Sequence, residues 1–354
     1  MTHIADLDTP AVLIDLHRAE ANLKRAQDAA DAAGIALRPH IKTHKLPYFA
    51  RRQIDLGAVG ITVQKLGEAE VMADAGLTDL LLTFNIIGAA KLKRLEALHQ
   101  RVTIRTVADS AECVAGLGAT FVDPGRPLCV FVECDTGMGR CGVQSPQAAL
   151  DLARTIMATP GLVFAGLMTY PAAGKYDLAA KWLSDARAVF ADAGVDIPAI
   201  TTGGTPDIWH MDEAARVATE YRPGTYIYMD RSQVAAGAAT LEDCALTVLA
   251  TVVSRPTENR AIIDAGSKAL TSDLLGLVGH GHVVDFPEAK LVGLSEEHGT
   301  LDVSACARKP AIGERIRIVP NHCCPVTNLF DRVNLVRGGE LVETLDVAAR
   351  GRVD

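Results

Sequence analysis

Between about residue 35 and residue 230, short apolar or β-branched runs alternate with longer stretches of helical period. The runs are Ile35–Leu37, Ala58–Val63, Asp79–Phe84, Val102–Val107, Leu128–Val132, Leu162–Met168, Ala199–Thr202 and Thr225–Met229. Among the stretches between them, Lys65–Ala75, Ala89–His99, Ser145–Met157 and Asp177–Ala193 repeat apolar residues at helical spacing, and a further helix is expected at Arg18–Ala33. Strands alternating with helices in this number predict a closed parallel (β/α)8 TIM-type barrel, with an open doubly wound sheet as the competing arrangement.

After Asp230 the pattern changes. Ala245–Val253, Ala261–Asp264, Lys290–Leu294, Arg315–Val319 and Val333–Arg337 are short, β-branched and separated by Gly, Pro and Asn. That texture predicts an all-β domain without long helices. The early strand Ala11–Asp15 precedes the barrel and can join it. The expected division is a barrel over residues 16–235 and a β-rich domain from residues 1–15 plus 236–354.

The 354 residues are 49% hydrophobic and carry a net charge of −8, with no basic run. An acidic chain gains nothing from phosphate-backbone attraction, so nucleic acid is not an expected partner. No apolar run has the length of a membrane span, and no basic segment followed by an apolar one opens the chain. The 8 cysteines lack framework spacing and are expected to be reduced. A cytoplasmic protein without membrane attachment is the expectation.

Candidate chemistry collects at strand ends, where barrels deliver catalytic groups. After the first barrel strand comes Arg38-Pro39-His40-Ile41-Lys42-Thr43-His44-Lys45. A lysine among cations can have its pKa lowered, favouring the free amine that covalent attachment to a carbonyl compound requires; the competing reading is a solvated basic loop. Thr202-Gly203-Gly204-Thr205 follows the seventh run and is expected to open a helix, so its bare N–H groups can form an anion nest. Arg222-Pro223-Gly224-Thr225-Tyr226 is expected to lead into the eighth strand, and loops after strands seven and eight habitually hold phosphate in such barrels. In Pro320-Asn321-His322-Cys323-Cys324-Pro325, an extended backbone would put His322 and Cys324 on one face, offering an imidazole and a thiolate to an exchangeable divalent metal. The competing reading is a buried His and Cys on a turn.

The segment around Lys42, and the chain from Thr9-Pro10 to its end, resembles the D-threonine aldolase and D-serine dehydratase group of fold-type III (alanine racemase-like) pyridoxal-phosphate enzymes. The resemblance implies that Lys42 carries pyridoxal 5'-phosphate. It places Arg140, in Asp135-Thr136-Gly137-Met138-Gly139-Arg140, beside the cofactor's phenolic oxygen and Arg222 opposite its pyridine nitrogen. It gives Gly224 and Thr225 to the phosphate, beside Thr202, Gly203, Gly204, Thr205 and Tyr226. Tyr170 is expected near the cofactor, while Tyr176 has a packing reading of equal weight. Gln64 either reaches the cofactor or caps a helix. His322 and Cys324 match a His-x-Asp or His-x-Cys metal pair, for Mn, Mg or Zn. His298 either contacts that pair or pins a loop, and Asp264–Leu270 reads locally as a turn.

Two departures matter, one from the racemases and one from the related aldolases and dehydratases. Glu133 stands where alanine racemases usually have lysine, and Pro171-Ala172-Ala173-Gly174-Lys175 replaces the Glu-Gly-His continuation seen in related aldolases. All 6 tyrosines lie at or before Tyr228, so the second domain lacks the tyrosine base of alanine racemases. The expected reaction is therefore metal-assisted cleavage of a β-hydroxy-D-amino acid to glycine and an aldehyde. The alternative is dehydration of D-serine or D-3-hydroxyaspartate, for which Lys175 and Arg308 are unassigned cations. A non-catalytic cofactor-binding protein is the reading from another class, and the His322–Cys324 pair speaks against it. A homodimer with sites at the interface is implied by the resemblance alone.

Overall fold

The computed structural model describes residues 3–354. Two compact units emerge. One comprises the residues up to Lys24, then Thr43–Leu46 and Thr225–Gly351; the other comprises Arg25–Lys42, Pro47–Gly224 and Arg352–Asp354. In chain order the strands are β1 (Ala11–Asp15), β2 (Ala36–Leu37), β3 (Ile61–Val63), β4 (Asp79–Leu82), β5 (Thr103–Ala108), β6 (Leu128–Cys134), β7 (Leu162–Thr169), β8 (Ile200–Thr202), β9 (Glu220–Tyr221), β10 (Leu246–Thr257), β11 (Arg260–Ile263), β12 (Gly281–Val283), β13 (Lys290–Leu294), β14 (Gly299–Asp302), β15 (Arg315–Pro320), β16 (Arg332–Arg337) and β17 (Glu340–Asp346).

The unit built around residues 47–224 is the expected parallel barrel. Its strands run in the order β2-β9-β8-β7-β6-β5-β4-β3. Beyond β2, a parallel bridge of His40 with Thr62, with Ile41 N–H donating to the Thr62 carbonyl, joins the two ends of the sheet. The intervening helices follow local rules. Helix Pro146–Ala158 begins behind Ser145, whose hydroxyl accepts the Ala148 N–H, and places Pro146 in the first turn, where its missing donor costs nothing.

Pairing register sorts the barrel residues of one face into layers. Arg38 is buried and donates to Glu220 at 2.6 Å and to Asp79 at 2.5 Å, while Thr201 donates to the other Glu220 oxygen. Further along the strands, Leu81, Val107, Phe131 and Met168 form a buried apolar cluster. Burying side chains of this size stabilises by about 1.5–3 kcal/mol each. Glu133, two residues past Phe131, then leads towards the strands' C-terminal ends, where polar groups gather.

One strand differs from expectation. Thr225–Met229 is not the eighth strand: Thr225–Ile227 is a 3-10 turn, and β9 lies earlier, at Glu220–Tyr221. The run is apolar because Tyr226, Ile227 and Tyr228 are all buried. Burial without period does not specify a strand. Arg222-Pro223-Gly224 therefore follows the eighth strand rather than leading into it, which puts it at the C-terminal end. The helix expected after Thr205 is also reduced, to a 3-10 turn and the five-residue Met211–Ala215.

The other unit contains an antiparallel ring. Strands β11-β14-β13-β12-β15-β10 are neighbours in order, and β10 pairs again with β11. Early strand β1 extends this sheet, antiparallel to β10 and parallel to β16. Strands β12, β14 and β17 carry too few apolar residues to be visible in the sequence pattern. No helix among the described residues is long and apolar enough to cross a membrane.

Candidate active site

At the C-terminal end of the barrel strands, Lys42 follows β2 by a few residues. Its Nζ lies 5.7 Å from the centre of the Tyr170 ring, and the Arg140 guanidinium lies 5.5 Å from the same ring. Thus three residues singled out from separate motifs meet at one aromatic ring. His40 Nδ1 faces the Lys42 backbone N–H at 3.3 Å, and His40 Nε2 lies 3.1 Å from Gln64 Oε1. The Gln64 amide donates onward to the Thr83 carbonyl at 2.7 Å. Gln64 is therefore not a helix cap: Lys65 occupies that position, and the Gln64 N–H goes to Glu68. A cavity of about 160 Å³ is lined by Gln64, Asn85, Glu133 and Arg140, among others.

Arg140 sits in a glycine-rich turn. Asp135 folds that turn by accepting the Gly137 and Gly139 N–H groups at 2.9 and 3.1 Å. Asp109 accepts the Gly142 N–H at 3.1 Å. Glu133 is buried and accepts from Asn85 at 3.2 Å; burial raises its carboxyl pKa, against the pull of Arg140. Asp109, Glu133 and Cys141 bring donor atoms within 4.8 Å of one another. Of the three, Asp109 shapes the Arg140 turn through the Gly142 N–H. Asn85 and Asp109 were invisible to motif reading because each is one polar residue after an ordinary strand.

The phosphate-suited loop is built on glycine. Gly203 has φ of +95°, and a Cβ there would overlap the Tyr221 ring; at Gly204 a Cβ would lie 3.1 Å from Tyr170. Tyr221 locks the loop by donating to the Gly204 carbonyl at 2.8 Å, and Thr205 Oγ1 accepts the Gly224 N–H at 3.3 Å. Substituting Gly203→Ala is expected to destabilise the protein by about 2–5 kcal/mol, combining left-handed strain with overpacking. A lowered urea midpoint with unchanged slope would register it; an unchanged midpoint would contradict it.

Within the two phosphate-suited motifs, Thr202–Thr205 and Arg222–Tyr226, two buried polar atoms lack protein partners. Thr202 Oγ1 is one; the other is Arg222 Nε. Arg222 is 5% exposed, donates to the Thr169 and Thr201 carbonyls, and burial pulls its pKa down to about 10. A buried guanidinium nitrogen and a hydroxyl left unpaired, beside a bare glycine loop, suit a polar cofactor carrying a phosphate. The donor set fits pyridoxal phosphate. Tyr176 begins helix Tyr176–Asp192 and is buried, and burial pushes its phenol up to about 12. It is buried with Glu213 and Asp207 as its charged neighbours, which favours packing.

In the β-rich unit, His322 and Cys324 do converge, but not on an extended segment. His322 is the N-cap of helix Cys323–Leu329, and Cys324 lies in its first turn. The two side chains lie close enough for each to shift the other's titration. Cys323 points into the core, and its N–H donates to the buried Asp230 at 2.9 Å. Burial opposes the charged imidazole, yet the neighbouring Cys324 thiolate, backed by Asp273, pushes His322 up to about 9. Hydrogen bonds from Cys323, His322 and Thr43 hold the Cys324 thiol well below its ordinary range, against burial. A thiolate paired with an oriented imidazole is a donor set that suits a divalent metal such as zinc.

Thr43 Oγ1 lies 3.2 Å from Cys324 Sγ, and Thr225 Oγ1 lies 3.7 Å from it. The Thr225 hydroxyl, expected to serve phosphate, is thus beside the thiol. Tyr226 is buried in the turn that follows. His298 lies on the exposed turn between β13 and β14, where its carbonyl accepts the Ser295 N–H, so it pins that loop. Arg308 is neutralised by Glu314 at 2.8 Å, and Lys175 is exposed at the start of helix Tyr176–Asp192.

Comparison with known proteins matches residues 14–232 to the alanine racemase N-terminal domain family and residues 245–336 to a serine dehydratase domain family. D-threonine aldolase from Arthrobacter sp. is 35% identical over 98% of this chain and 94% of its own. The crystal structure of D-threonine aldolase from Filomicrobium marinum superposes with a TM-score of 0.91 at 34% identity, covering 99% of this chain and 97% of that one. D-threo-3-hydroxyaspartate dehydratase from Delftia sp. HT23 superposes with a TM-score of 0.85 at 30% identity over 98% and 99% of the chains. The same dehydratase has also been solved as a cysteine-to-alanine mutant in the metal-free form. With a family match over most of its length and relatives that span the whole of it, the chain belongs to the D-threonine aldolase and D-serine dehydratase group of alanine racemase-like, pyridoxal-phosphate-dependent lyases.

Proposed function

We propose that this lyase cleaves β-hydroxy-D-amino acids to glycine and an aldehyde, with a divalent metal held by His322 and Cys324. The observation that carries the proposal is the neighbouring His322–Cys324 pair, with Asp273 on His322 Nδ1 and Thr43, the residue next to Lys42 in the chain, on the Cys324 sulfur. When bound, pyridoxal phosphate supplies a sink for charge left on the substrate's α-carbon, and the metal supplies a Lewis acid for its β-hydroxyl. Lys42 is the attachment point, held against Tyr170. Arg140 serves the phenolic side. Arg222, a cation that cannot accept the pyridine nitrogen's proton, keeps that sink weak. Gly203 and Gly204 offer N–H groups to the phosphate, with Thr202 and Thr205 beside them, and Gln64 holds His40, whose Nδ1 faces the Lys42 N–H.

In cleavage, the β-hydroxyl loses its proton, the Cα–Cβ bond breaks to release an aldehyde, and Cα takes a proton to give glycine. In dehydration, Lys42 instead removes the α-proton and the β-hydroxyl leaves, giving a keto acid and ammonia. The thiolate ligand and the dehydratase relative with its metal-free cysteine mutant support this second reading. The closer D-threonine aldolase likeness supports the first. Incubation with D-threonine, D-serine and D-3-hydroxyaspartate separates them: glycine with aldehyde is expected, and keto acid with ammonia from all three substrates would overturn cleavage.

All 8 cysteines are free, which supports a reducing, cytoplasmic setting. A homodimer is the proposed assembly, on family likeness.

A further inference from the structure

We infer that Asp273 is the positioning residue of the metal pair, fixing which nitrogen His322 presents; this rests on the metal reading above. Asp273 Oδ2 lies 2.8 Å from His322 Nδ1. A histidine that ligates a metal through one nitrogen gives the other N–H to a carboxylate or carbonyl, which sets both tautomer and ring rotation. With Nδ1 committed to Asp273, Nε2 is the nitrogen left for a cation.

Asp273 is itself held in place. Its N–H donates to Thr271 Oγ1 at 3.3 Å, and its carbonyl accepts from Asn321 Nδ2 at 3.1 Å. Asn321 immediately precedes His322. The same amide donates to the Gly279 carbonyl at 2.9 Å, and Arg231 bridges Asn321 Oδ1 at 2.6 Å and the Val278 carbonyl at 3.2 Å. Both ends of the segment 273–279 are thereby tied to the residue that carries His322 along.

Backbone conformation gives an independent indication. Among the described residues, the non-glycine positions in the left-handed region are Lys45, Met229, Thr271 and Leu275, with φ of 57°, 49°, 62° and 49°. Thr271 and Leu275 flank Asp273. Lys45 follows Thr43, which contacts Cys324, and Met229 precedes Asp230, which holds the Cys323 N–H. Such conformations are strained for a residue with a side chain and persist where surrounding contacts over-determine them, typically around functional groups. Here every one of them lies within two residues of a group that touches the His322-Cys323-Cys324 segment. An ion pair serving only to hold the loop would leave metal affinity alone.

The test uses the full-length cofactor-loaded protein, stripped of metal and titrated with Zn²⁺ by calorimetry. Asp273→Ala is expected to weaken Zn²⁺ binding by about 10–100-fold, with the cofactor spectrum unchanged. Asp273→Leu keeps the shape without the acceptor, so it is expected to match that loss and reads the effect should the alanine variant fold poorly. Asp273→Asn, whose amide oxygen still accepts the Nδ1 proton, is expected to recover much of the affinity. Wild-type affinity in Asp273→Ala and Asp273→Leu, with His322→Ala binding abolished, overturns the positioning role alone. Equal Zn²⁺ binding by wild type and His322→Ala overturns the metal reading and the positioning role together.

Discussion

Lys42→Ala is expected to abolish the near-visible absorbance that pyridoxal phosphate gains on joining a lysine amine, and to lower turnover by about 10⁴-fold or more. The lysine is both the attachment point and, in the dehydration reading, the base for the α-proton. Other lysines are poorly placed to substitute. Lys65 stacks on Phe84, and Lys45 donates to the Ala349 carbonyl. Absorbance spectra with cofactor titrated to saturation check the attachment, and single-turnover rates check the base. A variant that keeps the wild-type spectrum would remove Lys42 from its assigned role, whatever its activity.

His322→Ala is expected to have the second largest effect, a loss of about 10²–10⁴-fold in kcat/KM, since Lewis-acid assistance is worth several kcal/mol. Two protein ligands leave no reserve when one is deleted. Exhaustive chelation of the wild type is expected to reproduce the loss without changing the cofactor spectrum, because the lysine attachment involves neither His322 nor Cys324. Restored activity on adding back Zn²⁺ or Mn²⁺ to the chelated wild type, but not to His322→Ala, completes the result. Chelated enzyme with full activity would sink the metal-assisted mechanism and leave the cofactor assignment standing.

The two effects differ in how visible their causes were. Lys42 sits in an eight-residue motif after a strand, so position and residue type coincide in one stretch of sequence. The His322–Cys324 pair was also visible, but for a different geometry. An extended segment would present them by two-residue alternation, whereas a helix cap and the first helical turn present them here. Asp230 decides that outcome by taking the Cys323 N–H, from a position far away in sequence. Asp273 had no sequence signature at all, being one acidic residue ahead of the apolar run Leu274–Val278, 49 positions before His322.

Legible in the residues alone were the alternation that builds the barrel, the β texture after residue 230, the lysine motif, the glycine turns and the absence of tyrosine from the later chain. Each of these is a local property: a period, a turn residue or a composition, readable wherever neighbours in sequence set the conformation. Tertiary structure alone decided that Glu220–Tyr221, not Thr225–Met229, is the eighth strand. Glu220 is polar because it answers Arg38 inside the barrel, so its strand carries no apolar signature. It also decided which lone polar residues matter. Asn85, Asp109, Asp230 and Asp273 acquire roles only through partners brought close by folding, since a hydrogen bond depends on distance in space and not on separation along the chain.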